Sequence, residues 1–295
     1  MRLGIDLGGT KTEIVAIEGD GTVRARRRVP TPQGDYAATV RLIAALVDGV
    51  ERELGARASV GIGIPGSISP VSGRVRNANS VCLNGQPLRD DLQALLGREL
   101  RIENDANCFA MAEAHDGAAV GAASVFGVIL GTGVGAGLVI GGALVRGANG
   151  IAGEWGHNPL PPGAAPDWPG EACYCGRRGC IETWLCGPAL ARQAGRPDAD
   201  AAAVSAAAAA GDPLAIGAIA AYADRLARAL AGVINLLDPA VIVLGGGVSN
   251  IDSLYEAVPR RWRPHVFADS VSTRLLRNRL GDSAGVFGAA RLWPG

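Results

Sequence analysis

Two stretches concentrate residue types that do chemistry: "GEWGHNPLP" and, shortly after it, "CYCGRRGCIE". The chain has only six cysteines and three histidines, yet His157, Cys173, Cys175 and Cys180 fall in this one region. Three thiolates and an imidazole can form a tetrahedral Cys3His zinc site, which leaves no vacant position and is therefore structural. The C-x-C-x4-C spacing is not a common zinc-finger spacing, so spacing alone leaves other uses open. Disulfides are the poorer alternative, because residues two apart are badly placed to bridge and no secretory signal opens the chain. Cys82, Cys108 and Cys186 have no such neighbours and read as core.

Three glycine turns form the second group. In "DLGGTK" a strand ending at Asp6 runs into Gly8, Gly9 and Thr10, whose amides and hydroxyl can face an oxyanion. Lys11 adds a cation, and Asp6 can hold Mg2+ directly or through water. The P-loop spacing is absent, and a plain hairpin turn is the alternative. In "LGTGVGAG", Gly131, Thr132 and Gly133 offer a second clamp. Gly131, Gly133 and Ala136 also fit a relaxed dinucleotide fingerprint, with Glu154 downstream. That fingerprint must open a helix, whereas "GLVIGGALV" predicts a hairpin, so the NAD reading is rejected. In "VIVLGGGVS", Gly245, Gly246 and Gly247 permit close approach by a flat group such as a nucleoside.

The elements that must position these residues repeat. "RLGIDLG", "TEIVAIE" and "TVRARRRVP" predict three strands, followed by a helix in "DYAATVRLIAALVDGVERELG" and a buried strand in "SVGIGIPG". "SVFGVILGTG", "GAGLVIGG" and "ALVRGAN" repeat the strand and glycine-turn pattern. The helix "AYADRLARALAGVINLLD" then feeds the strand "AVIVLGGG". This order predicts an α/β protein of two related lobes around a cleft. The Ala-rich stretch from Ala199 to Ala210 predicts a further helix. An uncharged run from Gly117 to Val145 is long enough to span a bilayer. Its glycines at nearly every second residue make two buried strands the expected reading.

Composition narrows the partners. The 295 residues carry 28 basic and 28 acidic side chains, 19% charged and 48% hydrophobic. A balanced charge gives no global electrostatic case for nucleic acid or an anionic membrane, and a small ligand remains. The "RARRR" run from Arg24 to Arg28 reads as a solvated strand edge, His115 and His265 as surface residues, and Trp155 as either a pocket wall or core. The protein is expected to be soluble and cytoplasmic.

The three glycine turns resemble the phosphate-1, phosphate-2 and adenosine motifs of the actin-like sugar kinase superfamily, which has the ribonuclease H-like fold. "GEWGH" with "CYCGRRGCIE" resembles the signature of its ROK branch of repressors, open reading frames and kinases. "GIPGSISP", "NANS", "LNGQP", "ENDANC" and "GDSAGVFGAARLWP" most resemble the bacterial fructokinase (mannokinase-like) group. N-acetylglucosamine kinases share the frame but fit less well around "NANS" and "HNPLP". The ROK repressors carry an N-terminal helix-turn-helix, whereas this chain starts directly on the first strand.

The resemblance implies an ATP- and Mg2+-dependent hexose kinase, with D-fructose and its 6-hydroxyl as the expected acceptor. Mannose, glucose, N-acetylglucosamine or a non-catalytic sugar sensor are the alternatives. It implies an N-terminal lobe over residues 1–118, a C-terminal lobe over 119–280 with a zinc-pinned loop, a segment 281–295 returning to the first lobe, and a homodimer. A sugar kinase needs a carboxylate to take the hydroxyl proton. "ENDANC" offers Glu103 and Asp105, although a strand end and helix cap explain these residues too. The resemblance implies Asp105 as base and Asn104, Asn79, Glu154, His157 and Glu182 as sugar contacts, His157 serving zinc and sugar with different nitrogens. It also implies His157, Cys173, Cys175 and Cys180 as the zinc ligands.

Overall fold

The computed structural model describes residues 1–163, 167 and 169–293. Strands β1 (Arg2–Leu7), β2 (Lys11–Ile17), β3 (Val23–Pro30) and β4 (Ser59–Ile64) belong to the first sheet. A short hairpin, β5 (Ser67–Ile68) with β6 (Val75–Arg76), precedes β7 (Leu100–Asn104), which completes that sheet in the order β3-β2-β1-β4-β7. Strands β8 (Ser124–Leu130), β9 (Val134–Ile140), β10 (Ala143–Leu144), β11 (Val241–Gly245) and β12 (Arg274–Arg277) form the second, in the order β10-β9-β8-β11-β12. Each sheet has three antiparallel strands in a meander; its first strand then pairs parallel with one later strand, which pairs parallel with a further one. The repeat read in the sequence is therefore a repeat of topology. The uncharged run is the β8–β9 hairpin, and no single helix among the described residues is long and apolar enough to cross a membrane.

Local chemistry explains the helix ends. In α1 (Tyr36–Leu54) the Asp35 carboxylate accepts from the Ala38 N–H, and Gly55 closes the helix in a left-handed conformation. Its Val40, Ile43, Ala44, Val47 and Val50 stripe is buried against the first sheet. Helix α2 (Leu88–Leu96) precedes β7, and α3 (Asp105–His115) follows it directly. Helices α4 (Ile181–Leu185), α5 (Gly187–Gln193), α6 (Ala201–Ala209), α7 (Pro213–Leu237) and α8 (Leu254–Trp262) cover the second sheet. The last helix is α9 (Ala284–Ala290).

The lobes meet through two helices. Helix α9 lies so close on β1 and β4 that a Cβ on Gly4 would stand 2.0 Å from the Val286 carbonyl oxygen, and one on Gly61 1.9 Å from that of Ala289. Within the segment 281–295, helix α9 packs on the first sheet, and residues 294–295 lie outside the described residues. Helix α3 was expected within the lobe 1–118, yet it packs mainly on β8 and β9 and against α9. Its Ala106 and Ala110 press on the backbone at Gly137 and Gly127. Small residues on the helix and bare glycine backbone on the strands permit this approach.

The arginines of the run are exposed, as a solvated strand edge predicts, but they are also ion-paired. Alternate residues Arg26 and Arg28 of the edge strand converge on Glu13, which is buried, and on Ser283 just before α9. Arg27 points the other way, to Glu53. His265 is exposed, while His115 is half-buried, its Nδ1 3.0 Å from the Met111 carbonyl oxygen.

Candidate active site

Asp105 stands at the first position of α3, where β7 ends. Asn104 caps the helix: its Oδ1 accepts from the Ala106 N–H at 2.9 Å, and its Nδ2 donates to the Gly66 carbonyl at 3.0 Å. The Ala106 N–H also reaches Asp105 Oδ1 at 2.8 Å. The Asn104 side chain is thus largely committed to structure, although the residue still lines the cavity expected for sugar. Glu103 turns away, ion-paired with Arg146 from the opposite lobe.

Two cavities meet at Asp105. The first, about 440 Å3, is lined by Asp6, Gly8, Gly9, Gly246, Gly247, Asn278 and Asp282 among others. The second, about 790 Å3, is lined by Asn77, Asn79, Gly131, Thr132, Gly133, Glu154, His157, Tyr174 and Glu182. Asp105, Asn79 and Ile129 belong to both. The Asp105 carboxylate opens onto this junction; the residue is exposed to solvent at the cleft, yet protein surrounds its carboxyl group closely. That desolvation pushes it above the usual carboxylate range, the Ala106 N–H and Asn104 oppose the rise, and Glu154 adds to it.

The glycine turns differ in what their missing side chains admit. A Cβ on Gly8 would lie 2.7 Å from the Lys11 carbonyl oxygen, so Gly8 is needed for the turn, while Gly9 opens onto the cavity. Thr10 faces a neighbouring hollow with Thr31 and Gln33. Lys11 begins β2 with its side chain exposed, outside the residues lining the first cavity. Gly246 is left-handed, with φ of 80°, and open space adjoins Gly247. Gly245 has another purpose from the one its sequence implied: a Cβ there would stand 2.6 Å from the Phe109 ring of α3. It admits a core aromatic, not a ligand. Gly131, Thr132 and Gly133 line the second cavity, and β9 follows them directly, so no dinucleotide helix exists at that turn.

The carboxylates of the second cavity are placed by the backbone. Gly153 and Gly156 press against β9: a Cβ would stand 2.2 Å from the Ala136 oxygen at the first and 2.5 Å from the Val134 oxygen at the second. Between them Glu154 opens a 3-10 turn, Glu154–His157, toward the cavity. Glu182, in the first turn of α4, accepts from the Val134 N–H at 2.9 Å. Trp155 is core, buried edge-to-face on Phe126 with ring centroids 5.8 Å apart.

The side chains of His157, Cys173, Cys175 and Cys180 converge, one ligand atom from each lying within 4.8 Å of all the others. His157 Nδ1 is 3.5 Å from Cys173 Sγ, and Cys175 and Cys180 Sγ are 3.6 Å apart. Ordinary zinc bond lengths in a tetrahedron require about 3.6 Å between N and S and about 3.8 Å between sulfurs, so these residues fit the metal. Nδ1 is the ring nitrogen in the set; Nε2 is 2.9 Å from the Tyr174 hydroxyl. The same loop has a second anchor in buried Asp167, which binds Arg225 at 3.0 Å and Arg228 at 2.6 Å.

Asn77, Tyr174, Asn278 and Asp282 line the two cavities and were not singled out from sequence. "NANS" and "GDSAG" held the signal for Asn77 and Asp282. Gly285 in the latter leaves room for the Asp6 carboxylate, which would lie 2.8 Å from a Cβ there.

Asp6 is the other perturbed carboxylate. Burial first, then Asp105 and Glu13, raise it to about 7 against the pull of Arg28. Such concentrated negative charge suits a divalent cation. The folded state holds the Asp6 proton up to about 7, while the unfolded chain releases it near 3.8. Between those values the folded state binds more protons, so this group's contribution to stability declines as pH rises, and it levels off above about 7. Asp6→Asn should therefore gain stability over wild type as pH is raised from 4 to 8 without magnesium, by roughly 2–4 kcal/mol. Urea melts of both proteins across that range measure it.

Comparison with known proteins follows this geometry. The ROK family profile matches residues 2–295. The chain is 40% identical over 302 residues to an N-acetyl-D-glucosamine kinase of Yersinia pseudotuberculosis, covering 99% of this chain and 98% of the relative. It superposes on the ROK hexokinase of Thermus thermophilus with a TM-score of 0.87 and 36% identity, over 99% of this chain and 97% of the other. A ROK glucokinase of Streptomyces griseus, solved with glucose and AMPPNP, gives a TM-score of 0.76 and 31% identity over 99% and 98% of the two chains. The chain belongs to the ROK family, and its two lobes have the actin-like ATPase fold, as the motifs implied.

Proposed function

We propose that this protein is an ATP-dependent sugar kinase that phosphorylates the 6-hydroxyl of a hexose, with N-acetylglucosamine as the preferred acceptor. The observation that carries this reading is the position of Asp105 where the glycine-lined cavity meets the carboxylate-lined one. ATP occupies the first with its phosphates at Gly8 and Gly9, its terminal phosphate reaching the junction toward the Gly131–Gly133 turn, and the sugar occupies the second. Glu154 and Glu182 accept from sugar hydroxyls, as ionised carboxylates must. Asp105 takes the proton of the attacking hydroxyl; its raised affinity for a proton suits that task. Mg2+, held on the Asp6 side, supplies charge neutralisation for the transferred phosphoryl group. Zinc on His157, Cys173, Cys175 and Cys180 fixes the loop that carries His157 and leads into Glu182.

The motif resemblance favoured fructose. The 40% identity to an N-acetyl-D-glucosamine kinase supports the 2-acetamido sugar instead. The test is ADP release from ATP-Mg2+ with N-acetylglucosamine, fructose, mannose and glucose. The expected result is at least about a tenfold kcat/KM preference for N-acetylglucosamine, the discrimination one well-read polar substituent provides. Fructose in first place would reinstate the motif-based assignment. Sugar binding with no ADP release would make the protein a sensor.

A further inference from the structure

Glu113 is fully buried in the last turn of α3 and has no part in the chemistry proposed above. Among the described residues no cation pairs with it. Backbone N–H groups hold its carboxylate instead. Oε2 accepts from Ala118 at 2.7 Å and from Arg279 at 3.1 Å, and Oε1 accepts from Arg279 and Leu280, each at 3.1 Å. A buried charge is tolerated only when hydrogen bonds replace its hydration, and here every partner is a donor. Gly117 makes room for the group, since a Cβ there would stand 2.2 Å from Oε2.

Arg279 and Leu280 belong to the loop that walls the proposed nucleotide cavity. Asn278 before them, and Gly281 and Asp282 after them, all line it. One end of this loop is tied to the second sheet: the Asn278 backbone N–H donates to the Leu244 carbonyl oxygen at 2.9 Å, and its Nδ2 donates to the same oxygen at 3.1 Å and to Ser249 Oγ at 3.2 Å. The other end runs into α9, where Gly285 adjoins Asp6. Glu113 ties the middle of the loop to α3. Asp105 begins that same helix eight residues earlier, about 12 Å along the axis. One stiff element thus joins the base to the nucleotide wall.

We propose that Glu113 is a positioning residue for phosphoryl transfer: by accepting from the Arg279 and Leu280 N–H groups it fixes the nucleotide wall relative to Asp105 at the head of its own helix. The proposal rests on the sugar-kinase reading. Glu113 touches neither substrate, and its effect passes through the loop and the helix.

Two variants test it. Glu113→Gln keeps the size, but whichever way the amide turns, its NH2 group faces N–H donors. Gly117→Ala keeps the carboxylate and displaces it; the backbone at Gly117 is not left-handed, so crowding is the only change there. Affinity for a non-hydrolysable ATP analogue with Mg2+, and separately for the sugar without nucleotide, is measured by calorimetry. Turnover is scaled to the fraction of chains that bind sugar. In both variants nucleotide affinity should weaken about 3–10-fold, the scale of one impaired hydrogen bond. The scaled kcat should fall by about as much, because small displacements of reacting groups are costly. Sugar affinity should stay within about twofold of wild type. The double variant should lose less than the product of the single losses, since both act on one contact. Nucleotide affinity and scaled kcat equal to wild type, even with a lowered melting temperature, would overturn the proposal, and so would equal weakening of sugar and nucleotide. A wild-type protein that binds the nucleotide but phosphorylates none of the four hexoses would overturn the kinase reading, and with it the role in phosphoryl transfer.

Discussion

Asp105→Asn is expected to lower kcat by about 10^2–10^4-fold, the usual contribution of a positioned acid or base. Asparagine has nearly the same shape, and its Oδ1 can still accept from the Ala106 N–H that Asp105 binds at 2.8 Å. The start of α3 and the Asn104 cap therefore survive. What disappears is the ability to accept a proton from the attacking hydroxyl. Calorimetric affinity for the sugar should stay within about threefold of wild type, so that the loss falls on kcat and not on binding. The variant also removes a charge that helps raise Asp6, so Asp6 should titrate at lower pH in it. Single-turnover ADP formation measures the main effect. A kcat within a fewfold of wild type would exclude Asp105 as the base and direct attention to Asp6 or Glu154.

Loss of zinc should have the next largest effect. Cys180 is buried, and it is the residue just before α4, whose second residue is Glu182. Cys180→Ser should reduce zinc from one ion per chain to none by elemental analysis. Sugar KM should rise by about 10^2-fold, because small displacements of positioning groups are costly. Structural zinc binds with about 10–16 kcal/mol in isolated finger peptides, and no hydrogen bond to the cysteines replaces that. The Asp167 clamp on Arg225 and Arg228 lies elsewhere on the loop, so the chain should remain folded with only this corner loosened. ATP binding, followed by fluorescence of a labelled nucleotide, should change little because Gly8, Gly247 and Asn278 line the other cavity. A wild-type protein purified without zinc, yet fully active, would remove the pinned-loop role.

Much of this protein was determined within short stretches of sequence. Hydrophobic periodicity marked the β meanders and their repeat, Asp35 and Gly55 marked the ends of α1, and the cysteine spacing marked the cluster. These features are legible because their causes act between residues a few positions apart. Local turn chemistry made the glycines at 8, 9, 246 and 247 visible in the same way.

Residues whose partners lie far along the chain were decided only by tertiary structure. Gly245 looked like its neighbours in "LGGG", but it serves the ring of Phe109 on a helix from the opposite half of the sequence. Lys11 looked like a phosphate contact, but the hairpin leaves it exposed outside the cavity. The packing of α3 on the second sheet and α9 on the first brings Asp105 to the junction of the cavities and Gly285 against Asp6. Likewise, the hydroxyl of Tyr174 meets Nε2 of His157, 17 residues away, only once the loop has closed on itself. A sequence carries the donors, acceptors and small residues, but which of them face one another depends on close packing between distant segments.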